Sequence, residues 1–101
     1  MLNLDPDYLV AIKKILMQYI PHHKVWVYGS RIKGTSHQGS DLDLVIISSK
    51  DNPLSPEQLL LLQEAFSESD LPILIDISEW ATLPYSFQQE IESNHEILYP
   101  N

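Results

Sequence analysis

The sequence predicts an α/β (α+β) fold, a small mixed β-sheet with flanking helices. Three observations point there. Two apolar, β-branched runs of strand length, residues 24–28 and 42–48, flank a polar loop. Stretches with helical spacing and recognisable start signals bracket them. The predicted order, helix–strand–strand–helix–strand–helix, leaves strands that must be covered by helices.

The first helix is expected over residues 5–20. Asp5 can cap it, Pro6 suits the first helical position and Pro21 stops it. Leu9, Ile12, Leu16 and Tyr19 fall on one stripe. "KVWVY", residues 24–28, reads as a strand, and residues 29–40 as a loop. "LDLVIIS", residues 42–48, is apolar on both faces apart from its aspartate, so it belongs in the middle of a sheet under helices.

Ser55, Pro56 and Gln58 form a capping-box start for a helix running to about Ser69. "LPILIDIS", residues 71–78, reads as a third strand interrupted by Asp76. A short helix follows over Pro84–Ser93, with Leu83, Phe87 and Ile91 four apart and Asn94 as its C-terminal cap. "EILY", residues 96–99, suits an edge strand.

With 101 residues the chain is expected to be one domain, residues 1–101. Six basic against fourteen acidic residues give a net charge of -8, which disfavours a binder of phosphate backbones and suits a basic protein partner. Cysteine is absent, so thiolate chemistry and disulfides are excluded. The first ten residues lack a signal-peptide pattern, and no apolar run approaches the roughly 20 residues of a membrane span. A cytoplasmic protein with no membrane contact is expected.

The chemistry concentrates in "GSRIKGTSHQGSDLDL", residues 29–44. Asp41 and Asp43 are separated by one residue, so on a strand they share a face with Cα atoms about 6.6 Å apart. Two carboxylates in an apolar setting repel and are costly to ionise unless a cation sits between them. Mg²⁺ suits such a pair, because it takes a few carboxylates and completes its shell with substrate phosphates. Two-metal sites hold their ions about 3.5–4 Å apart, within reach of bridging carboxylates.

Phosphate donors are found just upstream. Gly29 permits close backbone approach, and Ser30 offers a hydroxyl and an N–H. Arg31, the sole arginine, and Lys33 lie in the same loop, so a triphosphate with metal would reconcile the local charges. A strand carrying Asp76 beside the Asp43 strand would complete a three-carboxylate cluster. A lone Gly-Ser is usually a turn and a lone Asp-x-Asp usually a solvated loop, so it is the combination that carries the reading.

These residues resemble the signature of the DNA polymerase β-type nucleotidyltransferase superfamily, and in particular its minimal nucleotidyltransferases. Gly29, Ser30, Arg31, Gly34, Ser40, Asp41, Asp43 and Asp76 all have counterparts there. The resemblance implies a polymerase β-like core. It also implies AMP transfer from ATP with two Mg²⁺ ions and release of pyrophosphate. In the implied site Asp41, Asp43 and Asp76 are catalytic metal ligands, and Gly29, Ser30, Arg31 and Ser40 bind the nucleotide. Many minimal members serve as antitoxins of a helical HEPN ribonuclease and add AMP to one of its tyrosines. A hetero-oligomer with such a toxin, and no direct contact with nucleic acid, is therefore expected.

The residues agree with this to the extent that a chain spent on the catalytic core must have its acceptor presented by something else. Two other readings differ in class. One is a steric, non-catalytic antitoxin or nucleotide-binding module. The other is a transferase subunit acting on a small molecule such as an aminoglycoside. Trp80 suits core packing better than base stacking. His22, His23 and His37 suit a solvated role, and "LLLL", residues 59–62, is apolar beyond one helical stripe.

Overall fold

The computed structural model describes residues 4–29, 41–48 and 51–100. Four strands form one sheet in the order β3-β2-β1-β4. These are β1 (Lys24–Tyr28), β2 (Leu42–Ile47), β3 (Ile75–Glu79) and β4 (Glu96–Tyr99). β1 runs antiparallel to β2 and to β4, while β2 and β3 are parallel. The sheet is therefore mixed, with β2 and β1 at its centre, as the apolar character of β2 requires.

Helix α1 (Pro6–Tyr19) begins where Asp5 accepts a hydrogen bond from the Asp7 N–H at 2.8 Å. Its buried stripe is Ile12 and Leu16, continued by Ile20 just past the helix end. Tyr19, expected on that stripe, is instead exposed, because Ile20 at four residues from Leu16 takes the inward position. Helix α2 (Pro56–Ser67) carries the full capping box: Ser55 Oγ accepts from the Gln58 N–H, and Gln58 Oε1 accepts from the Ser55 N–H. Leu62 and Phe66 point into the core, and Leu60 and Leu61 face outward.

α1 and α2 cover one face of the sheet. Val25, Val27, Leu42, Leu44, Ile46 and Ile77 project into this layer. Each such fully buried side chain stabilises the fold by about 1.5–3 kcal/mol relative to exposure.

The third strand is shorter at its start than the expected residues 71–78. Its pairing opens where β2 opens, at Leu42↔Ile75. Before that point Leu71 and Ile73 pack on the core without laddering, and Pro72 has no N–H to offer.

The opposite face of the sheet carries a 3₁₀ turn (Trp80–Thr82) and helix α3 (Tyr85–Ser93), which Pro84 precedes as N-cap. Trp80 meets Trp26 edge-on at 5.4 Å, and His95 stacks on Trp26 at 3.9 Å. His95 Nδ1 lies 2.9 Å from the Ile91 carbonyl and 3.2 Å from that of Glu92. Carbonyls only accept, so Nδ1 carries the proton and satisfies carbonyls at the end of α3. Gln88 Nε2 donates to the Trp80 carbonyl at 2.7 Å and ties α3 to the turn. Asn94 is the C-cap residue, with an extended φ of -154° rather than a left-handed one.

Candidate active site

The two-residue alternation of a strand sorts the side chains of β1, β2 and β3 into two sets. Val27, Leu44 and Ile77 go to the core. Their neighbours Tyr28, Asp43, Asp76 and Ser78 go to the other face. The register makes them neighbours: Tyr28 pairs with Asp43 across the antiparallel ladder, and Asp43 with Asp76 across the parallel one. Two carboxylates from different parts of the sequence thus lie on adjacent strands, about 4.8 Å apart in backbone spacing. Asp41 is exposed just before β2 begins.

Asp43 is the residue on which this arrangement weighs most. Its carboxyl is pushed above the ordinary aspartate range, first by burial and then by the negative charges of Asp76 and Asp41. The Tyr28 hydroxyl is raised too, first by burial. Its hydrogen bond with Ser78 pulls it back, and Asp43 and Asp76 push it up again. The site is therefore electrostatically negative and calls for a cation.

Gly29 ends β1 with φ +87°, a conformation that favours glycine. A Cβ there would collide with Asp43 Oδ2 and approach Asp43 Cγ to 3.3 Å. The residue must be glycine for both reasons, and its bare backbone borders the carboxylate directly.

Ser30, Arg31 and Ser40, with Lys33, Gly34 and His37, lie outside the described residues. Among the described residues, no group of three or more His, Asp or Glu side chains is arranged to hold a metal ion. The donor chemistry nevertheless fits Mg²⁺, whose habit is one or two carboxylates completed by substrate phosphates and water. Asp43 and Asp76 supply hard oxygen donors on one face, and the repulsion on Asp43 is the kind a divalent cation relieves.

Sequence reasoning did not single out three residues of this region. Tyr28 was read only as part of a strand, although its position two residues from Trp26 places it on the acidic face. Ser78 stands in the same relation to Asp76. Glu79 is the third, and the buried polar or charged residue of the described core, at 3% exposure. Its carboxylate accepts from the Leu54 N–H at 2.9 Å, from the Ala81 N–H at 3.1 Å and from the Ser48 hydroxyl. It joins the end of β2, the entry to α2 and the 3₁₀ turn, and so fixes where β3 lies against β2.

Below the acidic face, α3 and the end of β1 enclose an open cleft of about 140 Å³, lined by Tyr28, Gly29, Phe87, Glu90, Ile91 and Asn94. The Phe87 ring meets Tyr28 edge-on at 5.7 Å.

Known proteins share this architecture and sequence. The chain is similar to the probable protein adenylyltransferase MntA of Haemophilus influenzae, at 41% identity over 96% of this chain and 83% of the relative. In a crystal structure of a toxin–antitoxin with AMP-PNP, one chain superposes with a TM-score of 0.74 at 19% identity, covering 96% of this chain and 75% of that one. A chain in the structure of tri-AMPylated Shewanella oneidensis HEPN toxin with MNT antitoxin superposes with a TM-score of 0.68 at 17% identity, covering 92% and 70%. At those identities the solved structures speak for the fold. The model for polymerase beta nucleotidyltransferases matches residues 11–101. With that match spanning the sheet, both aspartate-bearing strands and the glycine that borders them, the chain belongs to the polymerase beta nucleotidyltransferase family and is a nucleotidyltransferase.

Proposed function

We propose that the protein transfers AMP from ATP, with Mg²⁺, to a hydroxyl of a helical HEPN-type ribonuclease toxin and thereby acts as its antitoxin. The observation that carries this reading is the Asp43–Asp76 pair on one open face, bordered by Gly29, with the Asp43 carboxyl pushed up by burial and by the charges of Asp76 and Asp41. The similarity to a probable protein adenylyltransferase supports the reaction class, and the likeness to toxin–antitoxin structures supports the kind of partner. The net charge of -8 suits a basic partner.

Asp41, Asp43 and Asp76 would hold the Mg²⁺ ions, which supply charge neutralisation of the triphosphate and acidify the acceptor hydroxyl. Gly29, Ser30, Arg31 and Ser40 would hold the phosphates. A tyrosine hydroxyl, with an ordinary pKa of about 10, is protonated at neutral pH and needs a base as it attacks. Asp76, exposed at the sheet edge, receives that proton. The acceptor oxygen forms a bond to the α-phosphorus, the bond from that phosphorus to the bridging oxygen breaks, and pyrophosphate leaves. AMP esterified near the partner's active site places negative charge where RNA phosphate would bind, which accounts for inhibition.

The test is intact mass of the HEPN-type partner after incubation with the protein, ATP and Mg²⁺. A gain of whole AMP units, absent with the Asp41→Asn/Asp43→Asn variant, is the expected result. A partner neutralised equally by that variant, with no mass change, would make the protein a steric antitoxin.

A further inference from the structure

The sheet has two edges, and only one of them borders the acidic pair. β4 lies on the far side of β1, whereas the edge strand β3 carries Asp76 next to Asp43. We propose that the open edge of β3 is the docking surface for the acceptor, an assignment that rests on the AMP-transfer reading above. An extended segment of the acceptor protein adds to β3 as a further strand. Its hydroxyl-bearing residue lies opposite Asp76, and an apolar neighbour enters the cavity between the start of β3 and the end of α2.

The backbone is turned the right way. The Leu42 N–H donates to the Leu74 carbonyl at 2.9 Å, so at Leu74 the chain faces β2. Peptide groups alternate in direction along a strand, which turns the N–H and C=O groups of Ile75 and Ile77 outward. Among the described residues no strand lies on that side. The opening is short, because Thr82 Oγ1 donates to the Glu79 carbonyl at 2.9 Å and occupies the far end. Edge donors and acceptors of this kind are what an added strand pairs with, the backbone giving affinity and side-chain pockets giving specificity.

Register then places the side chains. Tyr28, Asp43 and Asp76 form one row across β1, β2 and β3. A residue paired opposite Asp76 extends that row, about 4.8 Å away in backbone spacing and on the same face. A hydroxyl there meets the carboxylate that takes its proton. The next residue of the segment, opposite Ile75, turns to the other face. At that end of β3 an open cavity of about 160 Å³ has Phe66, Ser67, Leu71, Ile73 and Leu74 in its walls. An apolar cavity of about 150 Å³ admits benzene, so this one has room for a single aromatic or branched aliphatic side chain. Leu74 itself is 73% exposed. Glu64, Glu68 and Asp70 are exposed around the end of α2, so basic residues flanking the segment are favoured.

Amide hydrogen exchange tests the pairing, followed by NMR on the protein alone and with its acceptor partner, Mg²⁺ and a non-hydrolysable ATP analogue. The Ile75 and Ile77 amides are expected to slow roughly tenfold or more when the partner binds. Exchange at both amides unchanged by the bound partner would overturn the proposal. Steady-state AMP transfer tests the cavity. Leu74→Lys sets a positive charge against a basic segment, and Ser67→Phe fills the cavity; both positions are exposed and tolerate substitution. Each is expected to raise KM for the partner roughly five- to fiftyfold, with the affinity for the ATP analogue unchanged in titration calorimetry. Unchanged KM in both variants would overturn the proposal, as would an equal loss of ATP-analogue affinity. The mass of the partner separates the two levels of the reading. If the wild-type protein adds no AMP to it, the AMP-transfer reading falls and the docking edge with it. If the wild-type protein adds AMP and both variants do so at unchanged KM, the docking edge alone falls.

Discussion

Gly29 and Asp43 share one volume: the space a side chain would fill at residue 29 is occupied by the Asp43 carboxylate. The glycine is therefore fixed from two directions, by its own φ of +87° and by the acid on the neighbouring strand. Gly29→Ala should destabilise the protein by about 1–3 kcal/mol from backbone strain alone, with the collision added. In an Asp43→Ala background the same change should cost less, because the colliding group is gone. Urea denaturation of the four proteins in a double-mutant cycle measures the coupling. Strictly additive losses would show that the two residues do not meet.

Asp43 also predicts a pH dependence of stability. Its folded pKa lies above the ordinary aspartate value because of burial and the charges of Asp76 and Asp41. The folded state then binds the proton more tightly than the unfolded state does. Ionising Asp43 costs the fold stability that is retained below the unfolded pKa of about 3.9 and lost as pH rises through the raised folded value. Asp43→Asn should accordingly raise the metal-free melting temperature at pH 7, and the gain should shrink as pH is lowered through that window. A variant less stable than wild type at pH 7 would mean that the carboxylate is structurally required.

Removing carboxylates should separate activity from folding. Asp41 and Asp76 are exposed, so Asp41→Asn and Asp76→Asn should unfold within about 0.5 kcal/mol of wild type. AMP transfer to the partner should nevertheless be abolished in both, as read by partner mass. Full transfer by either variant would remove that residue from the site.

Glu79 makes the opposite prediction, a large structural cost at a distance from the reaction. Glu79→Ala strands the Leu54 N–H, the Ala81 N–H and the Ser48 hydroxyl. With unsatisfied buried groups at about 1–3 kcal/mol each, a loss on the order of 3 kcal/mol in chemical denaturation is expected. Glu79→Gln keeps one acceptor oxygen and should lose clearly less. Equal losses for the two variants would show that the charge, and not the hydrogen bonds, holds the junction.

Much was legible in the sequence because it rests on local rules. Caps at Asp5 and Ser55 and the strand character of residues 24–28 and 42–48, of which 42–47 form β2, follow from side chain and spacing alone, whereas Asp41, expected on the strand beside Asp43, stands just before β2 begins at Leu42. The candidate carboxylates could be named because acids in apolar strands violate those rules. The edge strand at 96–99 was likewise readable from its composition.

What only the tertiary structure decided is which strands meet. Asp43 and Asp76 become neighbours through a parallel register that no local preference encodes, since strand pairing depends on how two distant segments bury their apolar sides together. The same pairing put Tyr28 opposite Asp43 and moved the start of β3 to Ile75. It also gave Glu79 three donors from separate segments, so a charged residue could be buried where the sequence showed only another exposed-looking acid. The cleft against α3 exists for the same reason: its walls come from β1 and α3, far apart in the chain, and they face each other only once the sheet has closed.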